Sequence, residues 1–320
     1  MWAQALVGPG RFERTEPPRP QADDLGPGQV LLRTVAGGLC GSDRPYFLGA
    51  TNPWRPPGAA LPTPGFPLHE VVGEVIASRG AGLPAGALAV GWATGFDGLA
   101  EFVVTDAESL WVFDPARFDP VDAILLQPLA CVLYAVERLG DVTGADCAVI
   151  GLGPIGLLFA SVLKARGAAS VAGVDRVDRS AAAAKIGVDE FTWSSSEAWS
   201  ADHASTYGVV VEAVGHQTLT LQHALAVAAE RARVFYFGVP DEHTYPVDMN
   251  ALVRKHLTLL AGGTLERRRM LEEAGDHLSG HPYLISSVIS HRLAMSEAQT
   301  AYDLAFRATA ERLKVVLTAD

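Results

Sequence analysis

Cysteine is scarce in this chain of 320 residues, which has only Cys40, Cys131 and Cys147. An odd and sparse set cannot build a disulfide framework, so a reducing compartment, the cytoplasm, is expected. Long apolar runs are also missing. The longest uncharged one, CAVIGLGPIGLLFASVL at 147–163, falls short of the roughly 20 residues a spanning helix needs and is interrupted by Gly-Pro. No membrane partner is therefore expected. The amino terminus, MWAQALVGPG, has no basic stretch followed by an apolar one, so no export signal is read there. Basic side chains are outnumbered, 25 Lys and Arg against 36 Asp and Glu, for a formal charge of −11. Binding a polyanion takes a basic face, which excludes nucleic acid as a partner. Internal repeats and low-complexity segments are absent as well.

What is present is a chain that is 49% hydrophobic, enough for a large core and long enough to divide it between two domains. Up to about residue 120, short β-rich runs such as QVLLRTVA, EVVGEVIAS and AEFVVT alternate with Gly/Pro clusters, which predicts antiparallel strands joined by loops. From about 121 the rhythm becomes helix, strand, helix, strand. VDAILLQPLACVLYAVERLG is apolar at helical spacing, CAVIGLG is a short buried strand, and SVAGVD, YGVVVEAVG and ARVFYFGVP follow with helices between them. Such alternation implies a doubly wound parallel sheet covered on both faces. After LTLLAGG near 257–263 comes a charged helix, and the final strand RLKVVL is a candidate to return to the first domain.

The strongest motif of the second half is GLGPIG. Gly151, Gly153 and Gly156 follow a strand and open a helix, with Pro154 and Ile155 between the last two glycines. The first glycine allows a tight turn, the second lets the backbone approach a pyrophosphate, and the third allows close helix–strand packing. Asp175 ends the next strand at the spacing where an acid accepts hydrogen bonds from ribose hydroxyls and repels a 2′-phosphate. Arg176 and Arg179 leave a phosphate open, but Asp175 favours NAD over NADP.

In the first half, Cys40 in GLCGSD and His69 with Glu70 in FPLHEVVGEV are residue types that bind zinc as thiolate, imidazole and carboxylate. Each also has a bland reading: a buried small thiol, a satisfied core histidine, a charge at a strand start.

Taken in order, GLCGSD, LHEVVGEV, QPLACVLYAV, VIGLGPIGLL with Asp175, and VISHRLAMSEAQTAY with KVVL resemble the zinc-type medium-chain dehydrogenases/reductases over nearly the whole chain. Their sorbitol and threonine dehydrogenase branches look most similar. The resemblance implies an α/β protein: a GroES-like β-rich catalytic domain from residues 1–124 and 265–320, and a Rossmann domain from 125–264. It implies hydride transfer between nicotinamide and a small alcohol or carbonyl substrate, with Cys40 and His69, and Glu70 in addition, as ligands of one catalytic zinc. Ser42 is implied as the hydroxyl that passes on the substrate proton, and Asp43 as the carboxylate that orients His69. A homodimer or homotetramer is implied too, and the strand at 234–239 is a candidate sheet edge for pairing.

Four departures from the family pattern stand out. No cysteine lobe interrupts VGWATGFDGLAEFV, so no structural zinc is expected. Leu68 replaces the glycine before His-Glu, and a leucine does not ease the bend that would turn both His69 and Glu70 towards one metal. Pro45 stands where many relatives carry a proton-relaying histidine. Gln127 replaces an anionic residue near the metal, which leaves it adjacent to the site and a poorer ligand. A zinc-free oxidoreductase on the same scaffold and a non-catalytic dinucleotide-binding protein are the alternatives. The Pro-rich stretch Thr51 to Pro64 is expected to border the entrance, with Arg44, Tyr46 and Trp54 as candidate lining residues.

Overall fold

The computed structural model describes residues 1–49 and 64–320. Trp54 and all of the Pro-rich stretch but Pro64 lie outside the described residues. The chain divides into two compact units, Met1–Ala130 with Leu265–Arg307 and Arg312–Asp320, and Cys131–Thr264 with Ala308–Glu311. The first boundary thus falls after Ala130 rather than after residue 124.

Among the described residues, the first unit begins with seven strands: β1 (Ala3–Gly8), β2 (Arg11–Thr15), β3 (Gln29–Gly38), β4 (Glu70–Ser78), β5 (Leu88–Trp92), β6 (Phe102–Asp106) and β7 (Leu110–Val112). The second unit carries β8 (Asp146–Ile150), β9 (Ser170–Asp175), β10 (Glu190–Trp193), β11 (Tyr207–Glu212), β12 (Ala228–Tyr236) and β13 (Thr258–Ala261), before β14 (Ile289–Ala294) and β15 (Lys314–Thr318) return to the first. In the first unit β1 and β2 form a hairpin, and a second sheet runs β14-β15-β3-β4-β5-β7 with β6 paired to β3. The last strand lies antiparallel to β3, so the two chain ends share one sheet. Its core alternates in the manner of half-buried strands: Val30 and Leu32 of β3, Val71 and Val75 of β4 and Val103 of β6 meet in one apolar cluster. A second cluster gathers Phe12, Phe47, Leu68, Tyr302 and Leu317.

The second unit is an all-parallel sheet in the order β10-β9-β8-β11-β12-β13. Its central strands read as near-continuous apolar runs, CAVI in β8 and VVV in β11, because strands covered on both faces have no solvent side to reserve for polar residues. The strand order reverses between β8 and β11, the switch point where sheets of this kind take ligands beyond the carboxyl ends of their strands. The strand expected near an edge, β12, lies between β11 and β13, and β13 holds the edge instead. That position went unread because TLLA is short and carries no alternation to mark it. No helix of the described residues is long and apolar enough to cross a membrane.

Candidate active site

In the first unit, β3 ends at Gly38 and the chain turns through Cys40 into the short helix Asp43–Phe47. Ser42 caps that helix, yet its hydroxyl makes no capping bond. Asp43 is fully buried. One of its oxygens, Oδ2, accepts from the Cys40 amide at 2.9 Å, and the other, Oδ1, lies 3.1 Å from Nδ1 of His69. One carboxylate therefore fixes both the backbone under the thiol and the face of the imidazole, which directs Nε2 away from Asp43. Burial alone would depress the His69 pKa, but the charge and hydrogen bond of Asp43, with Cys40 beside it, raise it well above the ordinary value.

Glu70 opens β4 immediately after His69. Ligand atoms of Cys40, His69 and Glu70 all lie within 4.8 Å of one another, so the structure brings the predicted trio together. Leu68 does not prevent the bend. It is fully buried, and room for it comes from Gly37, where a Cβ would run into its Cδ2, and from Gly98, whose Cβ would stand 3.2 Å from the same atom. The glycine absent at position 68 is in effect supplied by neighbouring strands and loops.

Sequence reasoning missed Lys314. This residue opens β15, is 4% exposed, and donates from Nζ to Glu70 Oε1 at 2.6 Å and to the Leu39 carbonyl at 2.8 Å. The same Nζ is 2.5 Å from Glu70 Oε2. Burial pushes the Glu70 carboxyl up, against the pull of Lys314 and then His69. A lysine starting an otherwise apolar buried strand was the available signal, because such a charge is almost always paired. Tyr302 is the second omission. Its ring packs on Phe12 and Phe47, its buried hydroxyl has no hydrogen-bond partner, and burial followed by the charges of Asp43, Cys40 and Glu70 raises its pKa.

Of the remaining expected residues, Gln127 is 3% exposed in the first turn of the helix Leu126–Leu139. Pro45 is buried in the short helix after Cys40. Tyr46 packs its ring 4.9 Å from Phe66, and Phe96 lies 5.3 Å from the imidazole of His69. The described residues fit a zinc ion by donor chemistry: thiolate, imidazole and carboxylate converge, and His69 is oriented by a carboxylate in the way metal-bound imidazoles are. The same residues show that Glu70 is already held by an ammonium group.

In the second unit, β8 runs into the glycine motif. Gly151 has φ 92°, a left-handed conformation, and a Cβ there would crowd Val214 Cγ2 at 2.6 Å. A Cβ on Gly156 would run into the Gly151 carbonyl oxygen, so only glycine lets the helix Pro154–Ala165 pack this near its strand. Pro154 occupies the first turn and Gly153 offers no side-chain cap, which leaves the first backbone amides of the helix, including those of Ile155 and Gly156, for an anion. Asp175 ends β9, and its carboxylate accepts from the amides of Leu152 and Val177, each at 2.8 Å, which ties the acid to the glycine turn. Arg176 is exposed. Arg179 is 3% exposed and donates to the carbonyls of Thr309 and Ala310, at 3.0 and 2.8 Å. Of the two arginines, Arg176 is the exposed one.

A β-rich unit with a thiol–imidazole–carboxylate cluster and a six-stranded parallel unit of the dinucleotide-binding type define a two-domain α/β class. Residues 154–279 match the family model described as zinc-binding dehydrogenase. L-threonine 3-dehydrogenase of Bacillus velezensis is 31% identical over 64% of this chain, and the match spans 60% of that relative's length. D-altritol 5-dehydrogenase of Agrobacterium fabrum is 29% identical over 93% of this chain and 94% of its own. Among solved structures, alcohol dehydrogenase TADH from Thermus sp. ATN1 has the same fold, with a TM-score of 0.81 at 24% identity and 100% of each chain covered. The chain is thus similar to zinc-type dehydrogenases over residues 154–279 in sequence and over its whole length in fold, and the expected fold class, a GroES-like unit with a Rossmann unit, is the one observed.

Proposed function

We propose that this protein is an NAD(H)-dependent oxidoreductase that moves hydride between a secondary alcohol, polyol or sugar-type hydroxyl, or its ketone, and nicotinamide. The observation that carries the reading is the convergence of Cys40, His69 and Glu70 around one point, with Asp43 behind His69. Cys40 and His69 would hold one zinc ion, with Glu70 adjacent and paired to Lys314. Zinc at such a site supplies a Lewis acid that lowers the pKa of a bound oxygen to about 7. Ser42, whose hydroxyl is spent on no cap, would take the substrate proton. Asp43 holds His69 in one tautomer throughout. Asp175 would accept the adenosine ribose hydroxyls, and the first amides of the helix Pro154–Ala165 would bind the pyrophosphate. Bare of cysteine, the segment between β5 and β6 supports one zinc per chain and no structural one.

Relatives named for threonine and altritol support hydroxyl substrates of the amino-alcohol and polyol kind. An assembly of two or four copies is the further expectation, with the exposed Leu259 on edge strand β13 as the place to look. The scarcity of cysteine supports a cytoplasmic home. A screen for NADH formation across polyols and amino alcohols, with and without chelator, tests the reading. Turnover that chelator abolishes is the expected result. Turnover at full rate in metal-free protein would favour the zinc-free scaffold, and the absence of turnover on every substrate the non-catalytic reading.

A further inference from the structure

The geometry points to Glu212 as a positioning residue for the coenzyme, acting through the loop that closes over the glycine motif; this rests on the NAD(H) reading above. Glu212 ends β11, one of the two strands at the switch point, and is fully buried. Its Oε1 accepts from the amides of Val214 and Gly215, both at 3.1 Å, and from the Thr220 hydroxyl at 2.6 Å. Its backbone carbonyl accepts the amides of Phe237 and Gly238 at 2.9 and 3.2 Å. The other carboxylate oxygen, Oε2, lies against Gly238, 2.5 Å from where a Cβ would stand.

One residue therefore gathers the turns that follow β11 and β12. The consequence falls on Val214, whose side chain rests where a Cβ of Gly151 would be. Without Glu212 the 213–220 loop loses three bonds to one buried acceptor, and Val214 is free to leave the first glycine of the motif. The turn that must approach a pyrophosphate is thus shaped from its far side by a carboxylate that touches no ligand. A buried carboxylate is costly to keep, and burial pushes the Glu212 pKa up against the hydrogen bonds that pull it down. A purely apolar packing role would not call for an acid here.

Binding of NADH to the full chain, followed by its fluorescence, tests this together with KM for NAD and kcat. Glu212→Ala should raise the NADH dissociation constant at least tenfold and raise KM for NAD in parallel, with kcat changed less than threefold. Glu212→Gln, which keeps an acceptor for the two amides and Thr220, should return affinity to within threefold of the parent. Thr220→Val should weaken binding by about threefold, and it carries the test with Glu212→Gln if the alanine variant does not fold. A folded Glu212→Ala protein with a lowered melting temperature and unchanged NADH affinity overturns the proposal and leaves a structural role. Failure of the unmodified chain to bind NADH is a different result, since it removes the coenzyme reading itself and this inference with it.

Discussion

Lys314 Nζ and Glu70 Oε1 meet at 2.6 Å in the interior of the first unit, an ammonium from the last strand against a carboxylate from the first residue of β4. The pair joins β15 to the candidate metal-binding cluster. It also divides the labour among the carboxylates, since Asp43 serves His69 while Glu70 serves Lys314.

Breaking this pair from one side should be severe. Lys314→Met leaves Glu70 buried beside His69 without its cation, and removing one partner of a buried ion pair costs about 3–5 kcal/mol. The double change Lys314→Met with Glu70→Gln should recover most of that loss. Urea unfolding of both variants measures the difference, and a single variant as stable as the parent would contradict the pairing.

Metal content follows from the thiol and the imidazole. Elemental analysis of protein purified without chelator should give at most one zinc per chain. Cys40→Ser should remove both metal and activity. Gln127→Glu should keep or raise occupancy, because it adds an anion to a buried position. Asp43→Asn should lower zinc affinity by about 10–100-fold through the loss of His69 orientation, measured by competition with a chromogenic chelator.

Coenzyme choice should rest on Asp175. NAD is expected to bind more tightly than NADP, and Asp175→Ser should narrow or reverse the preference with Arg176 meeting the phosphate. Replacing Arg179 should not weaken NADP binding specifically, because its guanidinium is occupied by the carbonyls of Thr309 and Ala310. Calorimetry that finds NADP bound better by the unmodified protein would falsify the role given to this strand end.

A pH effect on stability is expected from Asp97, whose carboxyl burial pushes up to about 6. The folded value lies above that of the unfolded chain, so the folded state holds the extra proton. This contribution is fully present below about pH 4 and is lost as pH rises through about 6. Asp97→Asn should flatten that decline and make the protein more stable at pH 7 by up to about 2 kcal/mol. Thermal melts between pH 4 and pH 7 check it, and parallel curves for parent and variant would count against it.

The sequence by itself determined the alternation of elements, because hydrophobic period is a local property: EVVGEVIAS is β4 and the apolar runs of β8 and β11 sit at the centre of a parallel sheet. The glycine motif and Asp175 were legible for the same reason, since the turn, the helix start and the strand end all lie within one short stretch. The trio Cys40, His69 and Glu70 could be named from residue type, but its convergence depends on Gly37 and Gly98 making room for Leu68. Only the tertiary structure decided that Glu70 is taken by Lys314, 244 residues further along the chain. It alone showed that Arg179 is spent on the segment at 309–310, and that β13 rather than β12 forms the sheet edge. These are pairings between distant parts of the chain, and which buried charge finds which partner is settled by packing and strand order, for which local pattern carries no signal.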